Sequence, residues 1–293
     1  MPDIPTSTAP DNQPMAEFWN GDGGERWVEH EDSYDRQLAP FSDALLSRLS
    51  SEHSTSGIAS ALDVGCGTGP LTTALRSQLG ADARVVGVDI STPMVDAATA
   101  RAQRSGTDGV TFEVADAQTS VPAGPHDLVV SRFGIMFFAD PVSAFATIRA
   151  ATGPAGRLVA VVWQARDLNR WMTEPADAIA PHVELEAPPA DPRAPGPFAL
   201  ADPDRLADLL GRAGWSATEL IPVTPTVYIG GPGSVNDAVS FAIGTGPTFL
   251  ALEHASAGQR RNAVDAIRTR FVALHDGIGV AAPGAAWLID SRR

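Results

Sequence analysis

Three glycines on alternate positions, Gly65, Gly67 and Gly69, follow directly on an apolar run in the stretch ALDVGCGTGPLTTAL. Pro70 then opens a segment with helical character. So bare a backbone between a buried strand and a helix start suits a ligand that must approach main-chain atoms. Dinucleotides favour the spacing G-x-G-x-x-G, with a pyrophosphate on the helix N-terminus. Here the spacing is G-x-G-x-G, and position 70 is proline. Asp89 stands 89 − 69 = 20 residues beyond the last glycine, at the end of the next apolar run. A carboxylate there can accept both hydroxyls of a ribose. Asp116 and Ala117 close a third run, placed to meet an adenine edge with a carboxylate and a backbone N–H. Either aspartate alone would equally serve as a helix N-cap. Together with the glycine loop they outline a nucleoside site.

These residues need a particular frame. From Ala61 onward short β-rich runs alternate with helical segments: ALDV, ARVVGVD (83–89), VTFEVAD (110–116), HDLVVSRF (126–133) and GRLVAVVW (156–163). Apolar runs of this kind suit strands buried on both faces, and their alternation with helices predicts a parallel, doubly wound sheet. In that frame a ligand lies at the carboxyl ends of the strands. Asp140-Pro141 and Asp202-Pro203 mark helix starts as N-cap and N1, while Gly153-Pro154 marks a helix end. The expected organisation is a disordered leader over 1–15, a helical cap over 16–56 and a core over 57–163. A cap insertion follows over 164–201, whose stretch APPADPRAPGP is too proline-rich for a sheet or a helix, then core again over 202–233. A helical insertion over 234–276 and a final core strand within 277–293 complete it.

Composition narrows the partners. The 293 residues carry a formal net charge of −14, which argues against a nucleic-acid or anionic-membrane partner. All 21 basic residues are arginines, so Schiff-base chemistry and a P-loop lysine are excluded. A single cysteine, Cys66, excludes an intrachain disulfide and a cysteine-cluster metal site, and no ligand spacing calls for a metal. No run of about 18 apolar residues occurs, and the expected location is the cytoplasm.

The motifs ALDVGCGTG, VVGVDIS, VADAQ, DLVVSRFGIMFF and PAGRLVAVVWQ, in this order, resemble the class I S-adenosylmethionine-dependent methyltransferases. Within them they are similar to the small-molecule branch that includes the quinone-biosynthesis enzymes. The resemblance implies a seven-stranded, mostly parallel Rossmann-like sheet. It implies S-adenosyl-L-methionine as cofactor and S-adenosyl-L-homocysteine as product. Gly65, Gly67 and Gly69 would flank the methionine portion and ribose, and Asp63 would orient the loop and the cofactor amine. Asp89 would bind the ribose diol; Ile90 and Met94 would pack on the adenine, with Asp116 and Ala117 on its edge. The Ser131 carbonyl would accept from the methionine ammonium. The reaction implied is in-line displacement by O, N or C of a small, apolar or aromatic acceptor, on a monomer or homodimer.

The segment FWNGDGGERWVEHEDSYD resembles the N-terminal cap of the same branch. There Trp19 and Trp27 could close over a sulfonium, gaining cation–π attraction, or simply anchor a helix. His30 is the candidate general base of the cap; His126, just before a strand, is expected to be solvated. Two other readings stay open: a protein that binds the same cofactor without transfer, as a cyclase or sensor would, and an NAD-dependent oxidoreductase sharing Asp89.

Overall fold

The computed structural model describes residues 11–51, 57–187 and 189–293. Three helices open the described chain: α1 (Gln13–Asn20), α2 (Asp22–Glu29) and α3 (Glu31–Ser51). The leader expected over 1–15 gives way to structure earlier than that. Asn12 is buried and α1 begins at Gln13, while residues 1–10 lie outside the described residues. In α3 the buried Leu38, Phe41, Leu45 and Leu49 recur every three or four residues. They form one apolar stripe laid against the sheet.

The alternation seen in the sequence becomes β1 (Ser60–Val64), α4 (Pro70–Gln78), β2 (Arg84–Asp89), α5 (Thr92–Ser105) and β3 (Val110–Val114). It continues through β4 (His126–Arg132), α6 (Pro141–Ala150) and β5 (Thr152–Trp163). Beyond these lie α7 (Arg170–Ile179), α8 (Pro203–Arg212), β6 (Ser216–Val223), β7 (Thr226–Tyr228), α9 (Val235–Gly244) and α10 (Gly246–Glu253). The last elements are α11 (Ala257–Leu274), β8 (Ala281–Pro283) and β9 (Ala286–Arg292). The main sheet has seven strands in the order β3-β2-β1-β4-β5-β9-β6. β1 to β5 pair in parallel, and β9 runs antiparallel between β5 and β6. The strand order reverses between β1 and β4, which opens the crevice that doubly wound sheets use for ligands.

The expected N-caps hold: Asp140 accepts from Ser143 N–H, and Asp202 from Asp204 and Arg205 N–H. Other expectations need correction. Gly153 and Pro154 do not end a helix; they lie inside β5, whose first residue is Thr152. Within 164–201 the helix α7 forms with Pro175 in its interior, while the described residues of APPADPRAPGP lie in neither helix nor strand. β3 is not buried on both faces; it is the sheet edge, and three of its five residues are exposed. β7 and β8 leave the main sheet and pair with each other, so parts of the expected core segments 202–233 and 277–293 belong to the cap. A second apolar cluster there joins Ile179, Phe241, Ile267 and Phe271. His126 is buried, not solvated, with one ring nitrogen 2.9 Å from Ser60 Oγ and the other 3.2 Å from the Pro122 carbonyl.

Candidate functional site

The glycine loop joins β1 to α4, and all three of its glycines have positive φ: +68° at Gly65, +55° at Gly67 and +82° at Gly69. Their environments differ. A Cβ on Gly65 would lie 2.5 Å from the Gly134 Cα, and one on Gly69 would lie 2.8 Å from the Phe112 ring. Those two glycines answer to backbone and side-chain packing. Gly67 alone of the three has room for a Cβ, which would meet Met94 Sδ at 3.7 Å and Trp27 Nε1 at 3.9 Å in ordinary contact. The loop is pinned to β2 by hydrogen bonds from Gly65 and Cys66 N–H to the Val88 carbonyl.

Asp89 holds the loop directly. Its Oδ2 accepts from Gly67 N–H and its Oδ1 from Ser91 N–H, both at 2.9 Å. Burial pushes its carboxyl above the usual range while these backbone donors pull it down. A carboxylate has about four lone-pair sites, and these backbone donors do not fill them.

A small cavity of about 30 Å³ lies over the loop, lined by Trp27, Asp63, Gly65, Cys66, Gly67, Thr68, Leu71 and Arg132. Asp63, at 1% exposure, accepts from Thr72 Oγ at 2.6 Å through Oδ2, while its buried Oδ1 has no partner. The Thr68 hydroxyl is likewise buried and unpartnered. Burial pushes the Asp63 carboxyl up to about 6, against the opposing pull of Thr72 and Arg132. A buried carboxylate with an idle oxygen is a receptor for a cation or a strong donor.

Ser131 sits where β4 reaches the cavity, its Oγ donating to the Val64 carbonyl at 2.7 Å. Just beyond it, Phe133 adopts φ +63°, a conformation rare for an aromatic residue. Its ring stacks on Trp163 at 3.6 Å and meets Phe41 edge-on, contacts that hold the strained turn in place.

The cap is seated on the nucleoside end. Ser91 Oγ donates to the Trp19 carbonyl at 2.6 Å, and Asn20 bridges the Ile90 carbonyl and Thr92 N–H. Asn12 donates to Asp116 Oδ1 at 3.1 Å, beside the buried Ala117. Trp19 packs edge-on against Phe137 and Trp27. Trp27 in turn stacks on Tyr34 at 3.9 Å, and the Tyr34 phenol is pushed up to about 12 by burial. It remains protonated at neutral pH and can donate but not act as a base. Met94 is buried beneath this layer.

The structure therefore gathers Asp63, Gly65, Gly67 and Trp27 around one cavity, with Asp89, Met94 and Ser131 adjoining and Ile90, Asp116, Ala117 and Trp19 under or within the cap. His30 is not among the residues lining the cavity. It packs against Phe241 at 6.1 Å between ring centroids and against Gly244, and the rings of Phe241 and Tyr34 stand between it and Trp27. Arg132 and Tyr34 went unnoticed in the sequence. Among the described residues no cluster of three or more His, Cys, Asp or Glu side chains could hold a metal ion. No helix among them is long and apolar enough to cross a membrane.

Comparison with known proteins bears on the family and the fold. Residues 56–188 match the family model described as a methyltransferase domain. Nocamycin O-methyltransferase of Saccharothrix syringae is 31% identical over 162 residues, 53% of this chain and 58% of that protein. Aklanonic acid methyltransferase of a Streptomyces species is 32% identical over 98 residues, 33% of this chain and 44% of that protein. The matched segments thus span less than two thirds of these relatives. The fold superposes with a TM-score of 0.56 on magnesium protoporphyrin IX methyltransferase of Synechocystis, at 15% identity, covering 97% of this chain and 100% of that one.

Proposed function

We propose that this chain, which carries a methyltransferase domain at residues 56–188, moves a methyl group from S-adenosylmethionine to a small molecule. The observation that carries this reading is the cavity over the β1–α4 loop. There a buried carboxylate oxygen of Asp63 lacks a partner, Gly67 presents bare backbone, and Asp89 keeps lone pairs free beside it. These residues fit the cofactor. Asp63 Oδ1 would receive its ammonium, Asp89 the ribose diol, Gly67 the chain between them, and Asp116 with the Ala117 N–H the adenine edge. When bound, the cofactor supplies a methyl group already activated on a sulfonium.

The chain's own contribution is positioning and exclusion of water. Holding two reactants in near-attack geometry lowers a barrier by about 7–11 kcal/mol. Trp19, Trp27 and Phe137 form an apolar cover that keeps solvent from the reacting atoms. The relatives named above support a small organic acceptor. Which of O, N or C receives the methyl turns on the acceptor.

A cavity of about 30 Å³ has room for water but not for a nucleoside, and α2, whose Trp27 lines it, is the cap element that would draw back to admit one. Titration calorimetry with S-adenosylmethionine, S-adenosylhomocysteine and NAD tests the cofactor. Tight binding of the first two alone is expected, and NAD binding without them would overturn the reading. Release of S-adenosylhomocysteine in the presence of phenols, quinones, amines and heterocycles would then identify the acceptor. Cofactor binding with no release across such a panel would favour a cyclase or sensor.

A further inference from the structure

The cavity over the glycine loop holds a charge that the proposed function has not used. Asp63 pairs with Val130 in the β1–β4 register, so Arg132, two residues further along β4, lies on the same sheet face. Both side chains line the cavity. The Arg132 side chain is 9% exposed, and burial draws its guanidinium below the usual range without discharging it. Its described partners are few for a group with five N–H donors. Nη1 donates to Ser42 Oγ at 3.0 Å, and Nη2 stands 3.7 Å from Asp35 Oδ1. Asp35 is committed elsewhere, its other oxygen accepting from Arg101 Nη1 at 2.6 Å. Ser42 and Asp35 both belong to α3, so that helix aims the guanidinium without saturating it.

We infer that Arg132 is a carboxylate-receiving residue, forming with Asp63 a subsite that reads the two ends of an amino-acid zwitterion. This rests on the proposed cofactor, whose methionine portion carries such a zwitterion. Asp63 Oδ1 takes the ammonium, Arg132 takes the carboxylate, and the unpartnered Thr68 hydroxyl lies between glycine loop and ligand as an additional donor. The fork of a guanidinium suits a carboxylate in a bidentate pair, and charge-assisted hydrogen bonds of this kind are the strong ones. The guanidinium has no comparable use for the nucleoside, which the acids at Asp89 and Asp116 serve instead. An anionic acceptor could offer Arg132 the same chemistry, and the test separates the two sources.

The experiment is calorimetry on the full chain with three probes: S-adenosylhomocysteine, its α-carboxamide, and 5′-methylthioadenosine, which lacks the amino acid. The native protein is expected to bind S-adenosylhomocysteine at least tenfold more tightly than the carboxamide. Arg132→Gln is expected to lower S-adenosylhomocysteine affinity at least tenfold, to the level of the carboxamide, while methylthioadenosine binds within twofold of its native affinity. Arg132→Lys, which keeps the charge but loses the fork, is expected to fall between them. The native comparison of acid with amide needs no variant, so it decides even if Arg132→Gln fails to fold. Equal native affinity for acid and amide would overturn the inference. So would an Arg132→Gln protein that binds S-adenosylhomocysteine normally and loses turnover only with anionic acceptors, since the guanidinium would then serve the acceptor. A native protein that binds none of the three probes would sink the proposed function itself, a different outcome from binding acid and amide alike.

Discussion

Replacing Asp63 by asparagine should make the protein more stable and the site weaker, and the pH dependence of that trade is calculable. The carboxyl is pushed from an ordinary 3.8 up to about 6, chiefly because burial disfavours its charged form. Its folded-state value lies above its unfolded one, so the folded state binds the proton more tightly. Below pH 3.8 the group is neutral in both states and carries no penalty. As pH rises through 6 the folded chain must hold a buried charge, and stability falls. The difference of about 2.2 pKa units corresponds to about 3 kcal/mol at 1.36 kcal/mol per unit. Asparagine has no such titration.

Burying an amide in place of a carboxyl adds an offset of its own, because the idle Oδ1 position would hold an unpartnered group in either case. That offset does not vary with pH. The informative quantity is therefore the change in the gap between variant and native protein from pH 4 to pH 8. Every other titrating group is common to both chains and cancels to first order. At about 2.1 cal/mol/K of unfolding entropy per residue, a 293-residue chain loses about 5 °C of midpoint for 3 kcal/mol. Thermal melts at half-unit pH intervals should show the gap opening between pH 4 and 6 and level above 7. S-adenosylhomocysteine affinity of the native protein should rise over the same window, and that of Asp63→Asn should be at least tenfold lower and flat. A melting gap independent of pH would refute the reasoning, because it would mean that Asp63 titrates in the folded chain as it does in the unfolded one.

Three further outcomes are expected. Asp89→Ala should lower S-adenosylmethionine affinity at least tenfold in calorimetry. It should also destabilise the fold by about 2–4 kcal/mol in denaturant titration, since Gly67 and Ser91 N–H would lose their acceptor. Gly65→Ala should be far worse for stability than Gly67→Ala, because only the former drives a Cβ to 2.5 Å from the Gly134 backbone; equal melting points for the two would contradict this. Asn12→Ala, which frees Asp116, should leave hydrogen exchange in the sheet unchanged while speeding it in α1. Saturating S-adenosylhomocysteine should alter exchange throughout α1 and α2, and an unresponsive cap would remove it from the binding cycle.

Much of the frame could be read from residue order, for physical reasons. Strands buried on both faces leave unbroken apolar runs, and Asp140 and Asp202 announce helix starts because an N-cap is a local device. β3 misled because VTFEVAD has the residue types of a strand while its exposure depends on having a neighbour on one side only. β7 and β8 were missed because three-residue strands pairing across more than 50 positions leave no local period. Gly65, Gly67 and Gly69 were visible as a loop, yet their separate reasons were not. Gly134 and Phe112, which crowd two of them, come from distant parts of the chain. Arg132 stood in plain view within DLVVSRFGIMFF, but an arginine at a strand end reads as solvated until Ser42 and Asp35 of α3 close over it.

The pairing that matters most is one the chain declines to make. Asp63 and Arg132 carry opposite charges, line one cavity and lie on one sheet face, yet they form no ion pair with each other. Each is tied by its flank, Asp63 to Thr72 and Arg132 to Ser42, which fixes the side chains apart. A fold selected for stability alone would bring two such charges together or replace both, since an apolar pair of similar volume is often as stable as a buried ion pair. Held apart, Asp63 keeps an unpartnered oxygen in the cavity that Arg132 also lines. A ligand that bridges the gap recovers desolvation that folding has already spent, so part of its affinity is prepared before it arrives. The instability that burial lays on the Asp63 carboxylate is thus free energy that binding would recover, so stability and S-adenosylhomocysteine affinity of the native protein should move in opposite directions over one pH window, and in Asp63→Asn neither should follow it.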